Sequence, residues 1–272
     1  MKRLITAILA VSTLTVSAQH IHHLKVHSTK MNREINTVVI TPEFKKGTLY
    51  KTIYILHGYS GNPDRTYKQD IPALEKDAEK YQSIYVLPDG HYNSWYVDSP
   101  IDSTSQYQSF IGQELVRYID EHYPTIKERY ARGILGWSMG GYGALNIGIS
   151  YAQAFSIVGS TCGAIDFNRF GNHYKEYQVD KVLGKFENLP DQFFTFKKEE
   201  KMKTSGQYYI LDCGTEDYQM LEMNRDFHQQ LTQKDIRHLY IESMGKHDPD
   251  YWSKALSNQL SLFEKYFSDE KL

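Results

Sequence analysis

The chain of 272 residues carries 31 Lys and Arg against 33 Asp and Glu, a formal charge of −2, so it lacks the basic excess that holds phosphate backbones and nucleic-acid binding is not expected. A mean hydropathy of −0.55 excludes a multi-span membrane protein, and 40% hydrophobic with 24% charged residues excludes wholesale disorder. The 22 tyrosines are unusually many, which makes their positions relative to any active site worth following.

Residues 1–18 open with Lys2 and Arg3, continue as an apolar run, and close on Val16, Ser17 and Ala18. That order is a secretory signal peptide, too short to span a bilayer comfortably. The mature protein is therefore expected to be periplasmic or secreted, with no membrane attachment after cleavage. His20, His22, His23 and His27 follow on an alternating stretch with no carboxylate at ligand spacing. They read as exposed strand histidines, and no metal or other cofactor is expected.

A strand pair is expected at 23–27 and 34–40, joined by a polar turn at Lys30, Met31 and Asn32. Residues 52–56 form a short apolar run ending in His57 and Gly58, the pattern of a buried strand. A helix at 71–81 and a buried strand at 84–87 come next, the latter stopped by Pro88, Asp89 and Gly90. Over 106–122 the apolar residues Tyr107, Phe110, Ile111, Leu115, Tyr118 and Ile119 recur at three- and four-residue spacing, the clearest amphipathic helix in the chain. Strands at 133–135, 155–159, 208–211 and 238–242 alternate with helices at 139–151, 221–233 and 251–267.

Such alternation implies an α/β fold: a mostly parallel twisted sheet with helices on both faces and antiparallel N-terminal edge strands. Residues 19–272 read as a single catalytic domain. The polar stretch 163–206 is too long for a plain connection and reads as an insertion or lid over the strand ends. Its charge run from Lys197 to Lys201 reads as a solvated helix face.

The chemistry centres on G-x-S-x-G, present as Gly136, Trp137, Ser138, Met139 and Gly140. The motif is weak alone, but here it sits between an apolar strand and a helix, as a nucleophile elbow requires. A serine hydroxyl needs a base, and His247, in the loop after the last strand, is the one placed to act. His238 lies inside a strand and His228 on a helix. The orienting acid should follow the preceding strand, where Asp212, Glu216 and Asp217 compete. Asp217 is preferred, because Asp212 is still at the strand end. The order Ser138, Asp217, His247 is that of α/β-hydrolases. Oxyanion donors are expected from the backbone N–H groups of Met139, at the helix start, and Tyr59, beside Gly58. His57 reads as a buried residue fixing that loop.

These residues resemble the putative-esterase branch of the α/β-hydrolases, which includes esterase D, feruloyl and acetylxylan esterases, enterochelin esterases and mycolyltransferases. The resemblance runs from about residue 25 to 267 and rests on YILHG at 54–58, LPDG at 87–90, NSWYVD at 93–98, GWSMGG at 136–141, DCGTED at 212–217, and His247 followed by Tyr251 and Trp252. It implies an α/β-hydrolase fold with Ser138 as nucleophile, Asp217 as acid, His247 as base, and oxyanion donors at Tyr59 and Met139, selecting Asp217 over Glu216. It also implies a serine carboxylesterase acting on small-molecule or carbohydrate esters, acetyl or feruloyl among them. Acyl transfer to a sugar acceptor through the same triad is the alternative. A thioesterase acting on S-formylglutathione fits export poorly, and a non-catalytic binding protein fits the intact triad poorly.

Trp95, Tyr96, Trp137 and Trp252, with Tyr59, fall in or beside the expected active-site loops and are candidates for stacking on sugar or aryl groups. Core packing is the equal alternative for Trp137 and Trp252. Tyr142, Tyr218 and Tyr251 also lie within a few residues of the motifs. Cys162 and Cys213 each follow a strand and should lie close together, a disulfide being the lesser expectation.

Overall fold

The computed structural model describes residues 20–269; the expected signal peptide lies outside the described residues. Eight strands, β1 (Ile21–Ser28), β2 (Arg33–Ile40), β3 (Lys51–Leu56), β4 (Ser83–Pro88), β5 (Arg132–Trp137), β6 (Ile157–Thr161), β7 (Tyr208–Gly214) and β8 (His238–Ser243), form one sheet. Their order is β1-β2-β4-β3-β5-β6-β7-β8. β1 pairs antiparallel with β2, and β2 with β4; every other pairing is parallel. This is the α/β-hydrolase architecture. On the edge strand β1, His23 and His27 are exposed, while His22 is half-buried with its ring edge-on to Tyr123 at 5.8 Å.

Strands in the middle of a parallel sheet are buried on both faces and need apolar neighbours on each. Alternation along β5 and β6 supplies them. Gly133 and Gly159 lie against Phe263 of the C-terminal helix Pro249–Asp269, while Ile134 and Val158 lie against Gly148 of the helix Met139–Ser150. Every residue of that second helix from Met139 to Ile149 is buried, as expected of a helix apolar all round. Each large aliphatic side chain so buried contributes roughly 1.5–3 kcal/mol.

The main departures from the sequence pattern have identifiable reasons. The helix expected at 71–81 begins only at Leu74, because Pro72 keeps Ile71 out of the helical region, at φ −139° and ψ 71°. Before it, Thr66–Asp70 forms a π turn that hydrophobic spacing does not signal. The amphipathic helix over 106–122 is likewise interrupted by a π turn at Phe110–Leu115. Gly112 sits in that turn beneath the Tyr151 ring, where a Cβ would come within 2.2 Å of ring carbon Cδ2. The strand expected at 155–159 runs from Ile157 to Thr161 instead, since its pairing with β5 begins at Ile157 opposite Gly133. Phe155 precedes it and packs edge-on against Tyr54, ring centres 5.7 Å apart.

Between β6 and β7 the chain makes a series of short helices, and Tyr177 among them reaches the cleft at the carboxyl ends of the strands. They are tied to the loop after β4: Trp95 Nε1 donates to Tyr177 O at 3.0 Å, and Asn93 Nδ2 donates to Gln178 Oε1 at 3.0 Å. The charge run here is not wholly solvated. Lys198 is buried, with its ammonium donating to Asn146 Oδ1, because its position at the start of the helix Glu199–Ser205 turns it toward the helix Met139–Ser150. Burial, reinforced by Lys201, pulls the pKa of that ammonium down to about 7.

Candidate active site

β5 ends at Trp137 and the next helix starts at Met139, leaving Ser138 alone to make the turn. Its backbone stands at φ 54° and ψ −120°, a sparsely populated region that costs about 1–3 kcal/mol and persists only where the surroundings fix it. They do. Ser138 N donates to Thr161 O, and Ser138 O accepts from the amides of Gly141, Tyr142 and Ala164. The turn also needs its glycines. A Cβ on Gly140 would lie 2.1 Å from Leu56 O, and one on Gly136 would lie 2.4 Å from Gly140 O.

β7 and β8 bring the other two groups to the same sheet edge. His247 Nε2 is 2.9 Å from Ser138 Oγ, and His247 Nδ1 is 2.5 Å from Asp217 Oδ2. Asp217 is buried, and its Oδ1 accepts from Met220 N. Burial pulls the His247 pKa down, but its hydrogen bond to Asp217 and contact with Cys162 outweigh this and raise it to about 9. The competing carboxylates point elsewhere. Asp212 Oδ1 accepts from the Tyr251 hydroxyl at 2.8 Å, and burial raises its pKa to about 6 with that bond in opposition. Glu216 faces Lys246 at 3.9 Å. His228 and His238 bond to each other at 2.8 Å, away from Ser138.

The loop after β3 approaches the serine closely. A Cβ on Gly58 would lie 3.4 Å from Ser138 Cβ, so the backbone from Gly58 to Tyr59 passes beside the hydroxyl. Met139 opens its helix, where the first N–H groups have no intrahelical partner. Tyr59 lines the cleft beside Ser138, and Met139 follows Ser138 directly in the chain. His57 is buried and makes two bonds, Nδ1 to Gly58 O at 2.8 Å and Nε2 from Gly90 N at 2.9 Å. The neutral ring with its proton on Nδ1 satisfies both, and these bonds hold the loop.

A cleft of about 160 Å³ opens over Ser138 and His247, with Trp95, Trp137, Trp252 and Tyr59 in its wall. Trp252 sets its ring edge-on to His247 at 5.1 Å and tilted against Trp137 at 6.1 Å, so these tryptophans both pack and line the cleft. Tyr96 is a correction: it does not line the cleft. It is fully buried over Gly90 and Gly143, and its hydroxyl donates to His57 O at 3.0 Å. Tyr142 and Tyr251 are also buried, and Tyr218 is exposed away from the wall. Of the tyrosines singled out by position, only Tyr59 lines it, joined by Tyr177 from the segment between β6 and β7.

Sequence reasoning missed Tyr177, Met220 and the pair Arg65 and Asp70, all in the cleft wall. Asp70 is buried and lies 3.3 Å from Arg65 Nε. Burial raises its pKa, and Arg65 opposes that rise. A signal existed in the charged residues that follow the Tyr59 loop, but the π turn that carries Asp70 has none.

Cys162 and Cys213 are buried free thiols. Burial first, then the Cys213 thiol beside it, pushes the Cys162 thiol well above its ordinary pKa. Among the described residues, Cys162, Asp217 and His247 are the group whose possible ligand atoms lie within 4.8 Å of one another. Both imidazole nitrogens of His247 are already hydrogen-bonded within the Ser138–His247–Asp217 chain, so neither is left as a ligand. The three side chains form one hydrogen-bonded chain.

The family model described as "Putative esterase" matches residues 28–263. An acetyl esterase of Caldicellulosiruptor saccharolyticus is 28% identical over 231 residues, covering 79% of this chain and 84% of that protein. Among solved structures, the fluorophosphonate-binding serine hydrolase F of Staphylococcus aureus aligns with a TM-score of 0.79 at 21% identity, over 90% of this chain and 98% of that one. A ferulic acid esterase from Anaeromyces mucronatus, solved with ferulic acid, aligns at 0.65 and 20% identity over 91% and 90% of the two chains.

Proposed function

The chain belongs to the putative esterase family and is a carboxylic ester hydrolase, and from that premise we propose that it is an exported serine esterase that removes short acyl groups, acetyl foremost, from carbohydrate alcohols through an acyl-enzyme. The observation that carries this reading is the unbroken relay from Asp217 through His247 to Ser138, with bonds of 2.5 and 2.9 Å, opening into one cleft.

The proposed steps use these groups in turn. Neutral His247 takes the Ser138 proton at Nε2 as Oγ attacks the ester carbonyl. The oxyanion so formed is received by the N–H groups of Tyr59 and Met139. Asp217 keeps the proton on Nδ1 and stabilises the imidazolium. His247 then returns its proton to the departing alcohol, leaving an ester on Ser138. Water, deprotonated by the same nitrogen, attacks that ester, and His247 gives this proton back to Ser138 Oγ as the acyl–oxygen bond breaks, releasing the acid and restoring the free serine.

The acyl preference rests on size. A cleft of about 160 Å³ is small beside the roughly 300–1,000 Å³ of pockets that enclose drug-sized ligands. It suits acetyl better than feruloyl, in keeping with the similarity to an acetyl esterase. Export rests on the leader pattern at 1–18. The test is a panel of acetyl, butyryl, feruloyl and acetyl-xylan esters, with Ser138→Ala as control. Fastest turnover of the acetyl esters supports the reading; a feruloyl preference overturns its acyl part, and activity in Ser138→Ala overturns the whole.

A further inference from the structure

The relay and its amides leave one feature of the cleft without a role. Asp70 is only 1% exposed, yet among the described residues its Oδ1 has no hydrogen bond of good geometry, only the ion pair to Arg65 Nε at 3.3 Å. Both residues line the same cleft as Ser138 and His247. They ride on the segment directly after the Tyr59 loop, where Asn62 Oδ1 accepts from Arg65 N and the chain then widens into the π turn Thr66–Asp70. Such turns are uncommon and frequently mark functional positions.

A buried carboxylate oxygen whose one charged partner, Arg65 Nε, stands at poor hydrogen-bond geometry is underpaired, and a further donor would complete it. An anionic group would meet the Asp70 carboxylate, and an ammonium would meet the Arg65 guanidinium. A methyl group would satisfy neither. A neutral hydroxyl does both, donating to carboxylate oxygen and accepting from guanidinium N–H. We propose that Arg65 and Asp70 form a hydroxyl-recognition subsite, which selects esters carrying a free hydroxyl close to the scissile bond, as a partly acylated polyol does. This deepens the serine-esterase reading and rests on it.

The test compares kcat/KM for glycerol 1-acetate, with the hydroxyl in the alcohol, ethyl glycolate, with the hydroxyl in the acyl part, and propyl acetate, which has none. Wild type, Asp70→Asn and Arg65→Gln are assayed, with Ser138→Ala as blank. Wild type should prefer one hydroxyl ester over propyl acetate by about tenfold or more, as sites built around a hydroxyl do. That ratio should fall about tenfold in each variant, mainly through KM. Whichever hydroxyl ester is preferred identifies which half of the substrate enters the subsite. Because each ratio is taken within one protein, loss of folded enzyme does not alter it, and Arg65→Gln, at a partly exposed position, carries the comparison if Asp70→Asn does not fold. Activity on all three esters with no preference, or a preference unchanged in the variants, overturns the subsite and leaves the esterase reading standing. No activity above the Ser138→Ala blank overturns the esterase reading itself.

Discussion

The Asp217 carboxylate lies 2.5 Å from His247 Nδ1, although thirty residues and the strand β8 separate them in the chain. Parallel neighbours in the sheet make this possible, since β7 and β8 release their loops at the same edge. Replacing Asp217 by Asn keeps the shape but removes the charge and favours the wrong tautomer. Asp217→Asn should lower kcat by about 10³–10⁴-fold. Glu216→Gln, next to it but turned toward Lys246, should stay within about twofold. Parallel kinetics of the two variants decide between the adjacent carboxylates.

The same contact fixes the pH dependence. The His247 pKa is raised to about 9, burial pulling it down but Asp217 and Cys162 outweighing that. Its neutral form is the base, so kcat/KM should rise with pH along a limb centred above the ordinary 6.5. Asp217→Asn should move that limb downward. The linked stability has the opposite slope. It is fully present below 6.5 and lost as pH rises through about 9. Denaturant melts should therefore show the advantage of wild type over Asp217→Asn shrinking across that window.

Gly140→Ala should be among the most damaging single substitutions. The added carbon would lie 2.1 Å from Leu56 O and 2.6 Å from His57 O, and backbone in a sheet cannot retreat as a side-chain tip can. A loss above about 4 kcal/mol, or failure to fold, is expected. Circular dichroism and denaturant melts measure it.

Lys198 offers a test far from the chemistry. Burial first, then Lys201, lowers its pKa to about 7 from 10.5. Between those values the unfolded chain binds a proton that the folded chain does not, so this group makes stability rise with pH. Lys198→Met should flatten that rise and stabilise the protein below pH 7, as seen in denaturant melts across the range.

Much of this was legible in residue order. The elbow, the strand–helix alternation and the chain order Ser138, Asp217, His247 are local patterns, and the sheet only brings their ends together. What escaped is what local pattern does not encode. Tyr96 follows Trp95 in a loop near the site, yet its ring turns under Gly90 and Gly143 into the core. Arg65 ends a single helical turn and Asp70 ends the π turn that follows it, whose spacing matches neither a helix nor a strand period. Lys198 sits in a run of charges that reads as solvated, and only the packing of its helix against Asn146 buries it.

The central claim is that Ser138 carries the acyl group. Rapid mixing with p-nitrophenyl acetate, quenched before steady state and followed by peptide mass mapping, addresses it directly. A burst of p-nitrophenol close to one equivalent per enzyme, with acetyl found on Ser138 and absent from Ser138→Ala, is expected. Undiminished hydrolysis by Ser138→Ala, or acetyl confined to another residue, would contradict it.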